Sequence, residues 1–333
     1  MGHLITMVKG FWKKLKKPIF VLAPMADVTD AAFRAIIAKY GAPDVIWTEF
    51  VACDGLCSEK GRERLLVDLQ YSNAERPIVA QLFGSRPDHM EECARLIKKL
   101  KFDGLDINMG CPDRAIEKQG AGAALMKEPK LAAEIIAAAK RGAGDMPVSV
   151  KTRIGYNENN LKTWLPVLLE AEPAAITIHA RTRKEMSKVA AHWEVLGEAV
   201  KIAKKYDSSP NRTLILGNGD VRDMRDARAK VEKYGVDGVM LGRAIFGNPW
   251  LFSEKYEGKE IPIKERLKVM VEHTNLFEKK FKGIKRFDVM KKHYKAYVSG
   301  FDDAKELRIE LMGAKDGKEV QRMVNAFLLR KQA

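Results

Sequence analysis

A chain of 333 residues is long for one average domain and fits a barrel of about 250 residues with a small appended domain. Its hydrophobic fraction of 46% is ample for a buried core, and no apolar run approaches the roughly 20 residues that cross a bilayer. Lys and Arg outnumber Asp and Glu by 59 to 44, a formal net charge of +15, which favours a polyanionic partner over a neutral one. The cysteines, Cys53, Cys57, Cys93 and Cys111, form no C-x-x-C pair and no His-rich cluster. That argues against a metal site or a disulfide framework and for a reducing, cytoplasmic setting.

Residues 1–17 read as a basic N-terminal arm, in which Lys9, Lys13, Lys14, Lys16 and Lys17 interrupt any signal-peptide core. From residue 18 a unit repeats: a short apolar, β-branched run, then an amphipathic stretch with helix start and stop residues. The runs are Ile19–Met25, Val45–Phe50, Ile78–Gly84, Gly104–Gly110, Val148–Gly155, Ala175–Thr182, Leu214–Asp220 and Gly238–Arg243. Between them lie helical stretches such as Asp30–Tyr40, Pro87–Leu100, Pro129–Lys140, Leu161–Ala171, Glu194–Tyr206 and Arg222–Tyr234. Eight strands with covering helices predict an α/β fold, a (β/α)₈ TIM barrel over residues 18–253. A doubly wound open sheet would need a glycine fingerprint in its first βα turn, and Pro24-Met25-Ala26-Asp27 carries none.

In such a barrel all strand ends open on one face, so polar residues far apart in sequence converge there. The seventh and eighth ends, Gly217-Asn218-Gly219-Asp220 and Gly242-Arg243, suit a phosphate: glycine admits close backbone approach and Arg243 neutralises charge. Either cluster alone would equally make a tight turn; the pair, in the loops that commonly hold a phosphate, favours a flavin mononucleotide. On the fifth strand Lys151 and Arg153 alternate with Thr152, so both point to one side, toward the mouth. A cation there stabilises an anionic reduced flavin, although a lysine can also cap a barrel by reaching the surface. Gln81 and His179 are further polar strand residues able to hydrogen-bond the flavin edge. The fourth end, Asp106-Ile107-Asn108-Met109-Gly110-Cys111-Pro112, sets a thiol in a turn, where it can protonate a carbon next to one that receives a hydride. Cys93, on a helix, reads as a buried apolar residue, and Cys53 and Cys57 stay open.

After Pro249-Trp250 the strand pattern stops, and residues 254–333 show helical spacing, a second domain. Residues 279–295 hold Lys279, Lys280, Lys282, Lys285, Arg286, Lys291, Lys292 and Lys295 against one acid, Asp288. Such a run is often a solvated helix face; beside a barrel mouth it also meets the needs of phosphate contacts.

The chain resembles the FMN-dependent tRNA-dihydrouridine synthase family. The motifs are Ala23-Pro24-Met25-Ala26-Asp27-Val28-Thr29-Asp30, Gln81-Leu82-Phe83-Gly84, Asn108-Met109-Gly110-Cys111-Pro112, Lys151-Thr152-Arg153, His179-Ala180-Arg181-Thr182, Gly217-Asn218-Gly219-Asp220 and Gly242-Arg243-Ala244. In the tail, Met290-Lys291-Lys292-His293-Tyr294 and Ala304-Lys305-Glu306-Leu307-Arg308 resemble its helical tRNA-binding domain. The resemblance implies FMN over Pro24, Met25 and Ala26, with Gln81, Lys151 and His179 at its polar edge and Asn218, Gly219, Asp220, Gly242 and Arg243 at its phosphate. It further implies hydride delivery to uracil C6, a proton from Cys111 to C5, and NADPH as diffusible reductant. Uridine contacts would come from Asn108, Arg153 and Arg181, and tRNA contacts from Arg286, Lys291, Lys292, His293 and Lys295, with the protein a monomer free of membrane and metal. The loop Pro112–Gly122 and the segment Arg183–Trp193 depart from the family pattern, which leaves the uridine position open. Two rivals share part of this logic: an FMN barrel reductase of a free pyrimidine or other small molecule, and a tRNA-binding barrel without catalysis.

Overall fold

The structure, a computed structural model, describes residues 9–331. Its strands are β1 (Ile19–Leu22), β2 (Ile46–Ala52), β3 (Ile78–Phe83), β4 (Gly104–Met109), β5 (Val148–Arg153), β6 (Ala175–His179), β7 (Leu214–Asn218) and β8 (Gly238–Leu241). All pair in parallel: β2 to β8 in sequence order, and β8 with β1. A parallel bridge between Val21 and Val45 joins β1 to the chain entering β2, and Leu22 N donates to Val45 O at 3.2 Å. The sheet closes into the predicted barrel, which removes the open edges that a flat sheet would expose.

Seven of the eight predicted runs contain their strand and extend past its end, whereas β2 continues to Ala52, beyond the predicted Phe50. The excess residues leave the ladder to build the mouth. Pro24 has no N–H to pair, and Met25 N turns to Thr29 Oγ1 at 3.0 Å. Two apolar layers result from strands buried on both sides. Ile19, Val21, Trp47, Val79, Leu216 and Met240 fill the barrel, while Leu22, Leu82, Ile107, Val150 and Ile178 belong to the layer that also holds the outer helices.

The N-terminal arm is only partly an arm. Trp12, within a 3₁₀ turn at Gly10–Lys14, is buried with the barrel-filling residues, its ring 6.0 Å from that of Trp47. Burying such a side chain contributes about 2–3 kcal/mol. Lys9 is also buried, donating to Ala174 O at 3.1 Å and to Arg212 O, and burial lowers its pKa to about 8. Ala174 and Arg212 precede β6 and β7, so this segment plugs the end of the barrel opposite the mouth. Lys13, Lys14, Lys16 and Lys17 remain exposed, and residues 1–8 of the expected arm lie outside the described residues.

Beyond the barrel, helices Ile263–Phe281, Lys291–Tyr297, Ala304–Met312 and Gly317–Arg330 pack around a separate apolar cluster including Leu267, Phe277, Leu307, Leu311, Val320 and Phe327. That cluster continues through Ala32, Ile36 and Trp250 onto the helix Ala31–Gly41, which follows β1. The first helix of the tail thereby rests on the first helix of the barrel. Two short helices, Cys53–Cys57 and Glu59–Leu65, follow β2. Among the described residues no helix is long and apolar enough to cross a membrane.

Candidate active site

The mouth of the barrel holds a cleft of about 640 Å³. β1 ends in it with Ala23, Pro24 and Met25, β5 contributes Lys151, and β6 contributes His179 and Arg181. The loops after β7 and β8 close the other side with Asn218, Gly219 and Asp220 and with Gly242 and Arg243. These expected residues converge. Ala26 does not join them; it is exposed on the turn.

The cleft is strongly cationic. Burial first, and then neighbouring Arg153, lower the Lys151 pKa to about 8. No acceptor among the described residues hydrogen-bonds its ammonium. His179 is held well below its ordinary value by burial and then by Lys151, Arg153, Arg181 and Arg243, so it is neutral. Arg181 Nη1 lies 3.2 Å from His179 Nε2. Guanidinium can only donate, so Nε2 accepts and the imidazole proton sits on Nδ1.

Asp220 organises the cations. Its carboxylate accepts from Arg181 Nη2, from Arg243 Nη2 at 2.6 Å and from Ala191 N at 3.0 Å, and the Arg181 hydrogen bond is the chief cause of a lowered pKa. A carboxylate engaged this way aims two guanidiniums at the cleft. The loop needs a glycine beside it: Gly219 has φ +121, and a Cβ there would stand 3.0 Å from Ala191 Cβ and 3.1 Å from His179 Cδ2.

Next to the cleft, Cys111 is half-buried after β4, near Phe83 and Ile116. Burial raises its pKa, so the thiol keeps its proton at neutral pH. Asn108 Oδ1 accepts from the N–H groups of Gly110 at 3.1 Å and Cys111 at 2.9 Å. Gln81 accepts from Asn108 at 3.1 Å and is buried below it.

Arg153 departs from expectation. Its Nε donates to Gly110 O at 2.7 Å and its Nη1 to Thr182 O at 3.1 Å and Met186 O at 3.0 Å. It is buried, with a pKa lowered by burial to about 10. Rather than pointing freely into the mouth, it staples the turn after β4 to the segment after β6. The same two regions, distinguished by their unusual sequences, are joined again by the Arg183–Glu117 ion pair.

The basic tail divides into three kinds of residue. Lys285 lies between Glu49 at 3.0 Å and Asp68 at 2.7 Å, a partly buried bridge from the tail to the barrel. Arg286 and Lys291 share Asp288 at 2.8 and 2.7 Å. Lys292 and Lys295 are exposed. His293, expected to touch RNA, is corrected: it is fully buried, its ring 4.8 Å from Phe33, 6.0 Å from Phe246 and 4.7 Å from His273. On a helix whose solvent side carries Lys292 and Lys295, position 293 falls on the packed side.

Of the remaining cysteines, Cys93 is buried as expected, Cys53 is buried under Met90, and Cys57 is half-buried with its sulfur 3.7 Å from that of Cys93. Among the described residues no group of three or more His, Cys, Asp or Glu is placed to hold a metal ion.

Residues 21–332 match the family model described as "Dihydrouridine synthase (Dus)". A protein of Staphylococcus aureus (strain MRSA252) named "Probable tRNA-dihydrouridine synthase" is 42% identical over 323 residues, covering 96% of each chain. One of Bacillus subtilis (strain 168), "Probable tRNA-dihydrouridine synthase 2", is 41% identical over 323 residues, covering 96% of this chain and 97% of its own. Among solved structures, an old yellow enzyme homologue from Zymomonas mobilis superposes with a TM-score of 0.51 at 13% identity, covering 73% of this chain and 89% of that one. At that identity the likeness is one of fold.

Proposed function

This chain belongs to the dihydrouridine synthase family, and from that premise we propose that it binds FMN in the barrel-mouth cleft and reduces the C5–C6 double bond of uridines in tRNA, with NADPH as reductant. The observation that carries the reading is Lys151: a half-buried ammonium with no acceptor among the described residues, lining a cleft that Arg181 and Arg243 make more positive still. Partly removing a cation from water without pairing it is costly, and an anionic ligand offsets that cost.

The residues fit the group. A cleft of about 640 Å³ lies within the usual range for a cofactor of this size, roughly 300–1,000 Å³. Pro24 and Met25 supply the apolar support for a flat ring, with Ala26 completing the turn beside them. Lys151 and neutral His179 would hold the polar edge, with Gln81, buried and bonded to Asp106 and Asn108, supporting the mouth from beneath. Asn218, Gly219 and Gly242 allow a phosphate close to the backbone, and Asp220 holds Arg181 and Arg243 to neutralise it. Bound there, reduced FMN supplies a hydride for uracil C6, and NADPH restores it in a separate half-reaction.

This chain's own part is the proton and the grip on RNA. Hydride addition at C6 leaves negative charge on the base until C5 is protonated, and Cys111, protonated and beside the cleft, is the donor. Asn108 and Arg153 hold the Cys111 turn from both sides at the point where the base enters. Residues 18–253 form the catalytic barrel and 254–333 the tRNA-contacting domain, with Arg286, Lys291, Lys292 and Lys295 offered to phosphates.

Purified protein should be yellow, release FMN on denaturation and oxidise NADPH, and tRNA from a deletion strain should lack dihydrouridine at one or more positions that complementation restores. Colourless protein together with unchanged dihydrouridine in the deletion strain would end this reading.

A further inference from the structure

Asp106 is fully buried on β4, and the reaction outlined above gives it no role. Its surroundings do. Gln81 Nε2 donates to Asp106 Oδ2 at 2.6 Å, and Ser149 Oγ donates to Asp106 Oδ1 at 2.5 Å. A carboxylate only accepts, so the Gln81 amide must turn its nitrogen to Asp106 and its oxygen away. That oxygen accepts from Asn108 Nδ2 at 3.1 Å. The Asn108 oxygen is then left to accept the N–H groups of Gly110 at 3.1 Å and Cys111 at 2.9 Å.

The same direction follows from the other end. Backbone N–H groups only donate, so Asn108 must present oxygen to Cys111 and nitrogen to Gln81. An amide can be drawn either way round in isolation; here both ends of the chain of hydrogen bonds demand one orientation.

Packing alone would not select this residue. All six residues of β4 are buried, and an apolar side chain fills such a layer without the desolvation cost of a carboxylate, whose pKa burial raises to about 6. Downstream, the turn it steers has little slack. A Cβ on Gly110 would lie 3.1 Å from Thr152 C, so the backbone after Asn108 runs hard against β5.

We infer that Asp106 is a positioning residue for Cys111: its carboxylate sets the polarity of the Gln81–Asn108 amide relay that holds the Gly110–Cys111 turn, and with it the thiol, at the end of β4. The inference rests on the reading of Cys111 as proton donor. A relay of this kind acts through geometry. It should move turnover and thiol reactivity while leaving the binding of tRNA alone.

The test compares Asp106→Leu with Asp106→Asn in the flavin-loaded, full-length enzyme, with thermal melting and flavin occupancy confirming that each is folded and loaded. Asp106→Leu keeps the shape and removes the acceptor. Its kcat should fall on the order of 10²-fold with KM for tRNA unchanged, the usual cost of a small misplacement of a reacting group. Alkylation of Cys111 by iodoacetamide, resolved from the other cysteines by peptide mass, should quicken on the order of tenfold as the turn loosens. Asp106→Asn can accept from Gln81 with its oxygen and donate to the Ser149 hydroxyl with its nitrogen, so it should restore most of both. If Asp106→Leu fails to fold, Asp106→Ser, which leaves room for water, replaces it in the same comparison.

Wild-type kcat and wild-type alkylation in a folded, flavin-loaded Leu or Ser variant would overturn the inference, as would an Asn variant as impaired as the Leu one. Full turnover by Cys111→Ala would instead remove the proton-donor reading, and the alkylation rates would still decide whether Asp106 governs the turn.

Discussion

Replacing Lys151 by Met separates what this residue costs the fold from what it contributes to the chemistry. The two side chains are similar in length, so packing changes little and the charge is what disappears. In the apoprotein the half-buried ammonium has no acceptor among the described residues, and its pKa falls from 10.5 to about 8. At 1.36 kcal/mol per pH unit this is about 3 kcal/mol of destabilisation, reduced to roughly 1–3 kcal/mol because the side chain borders an open cleft. The sign follows from proton counts. Below pH 8 the lysine is charged in both folded and unfolded chains, and the penalty is complete. Between pH 8 and 10.5 the folded lysine loses its proton first, so the penalty shrinks as pH rises. Apo Lys151→Met should therefore melt higher than wild type at pH 7, by roughly 1–4 °C for a chain of this length, with the gap closing above pH 8. With flavin bound, the missing charge-assisted hydrogen bond should slow reduction by NADPH about 10–100-fold, the worth of roughly 1.5–3 kcal/mol. Differential scanning of the apoproteins and stopped-flow reduction of the loaded ones measure the two effects. A variant that melts below wild type, or that reduces at the wild-type rate, would show that Lys151 is a structural residue.

Cys111→Ala should leave FMN binding and NADPH oxidation intact and slow dihydrouridine formation by roughly 10²–10⁴, the usual worth of a positioned acid, in a single-turnover assay with pre-reduced enzyme. Replacing Arg286, Lys292 and Lys295 by Ala should weaken tRNA binding and flatten its salt dependence by about 0.7–0.9 in slope for each phosphate no longer neutralised; an unchanged slope would make them merely solvated. His273 and His293 are buried and neutral, His293 with a pKa pushed down to about 3 by burial and then Lys292, while the unfolded value is near 6.5. The contribution of each is whole above pH 6.5 and is lost as pH falls below it, at about 1.4 kcal/mol per pH unit, for His293 down to about 3. Urea melts of His293→Phe should lose one such increment from the acid slope, and a slope equal to wild type would mean the imidazole is charged when folded.

The strands were legible because each is buried on both faces and so appears as a short continuous apolar run bounded by glycine or polar residues. Their ends were less so, since Pro24, Gly110 and Gly155 continue the run in composition while the chain has already turned into the loops that carry the site. The plug at the far end of the barrel was hidden for the opposite reason. Lysines crowd the first 17 residues, and charge count could not tell that Trp12 meets an aromatic ring and the Lys9 ammonium meets carbonyls at the bottom of the barrel. A single tryptophan among lysines was the available signal.

The cationic side chains show most clearly where pattern reading stops. Period-two alternation along β5 places Lys151 and Arg153 on one side, and both do lie near the mouth. Only the partners distinguish them: Lys151 has none among the described residues, while Arg153 is taken up by the carbonyls of Gly110, Thr182 and Met186. The tail repeats the lesson. Lys285 and Lys292 are equivalent in a count of basic residues, yet Lys285 is held by Glu49, whose other oxygen accepts the N–H of Asp27 in the turn beside Pro24 and Met25. Removing Lys285 leaves buried Glu49 without its partner and unsettles that turn; removing Lys292 exposes nothing. The charge of a residue is written in the sequence, but whether that charge is free for a phosphate depends on acids that lie elsewhere in the chain, here 236 positions away. A basic run therefore predicts a polyanion partner only to the extent that its members remain unpaired after folding, and in this tail that condition sets Lys292 and Lys295, with Lys279, Lys280 and Lys282, apart from Lys285.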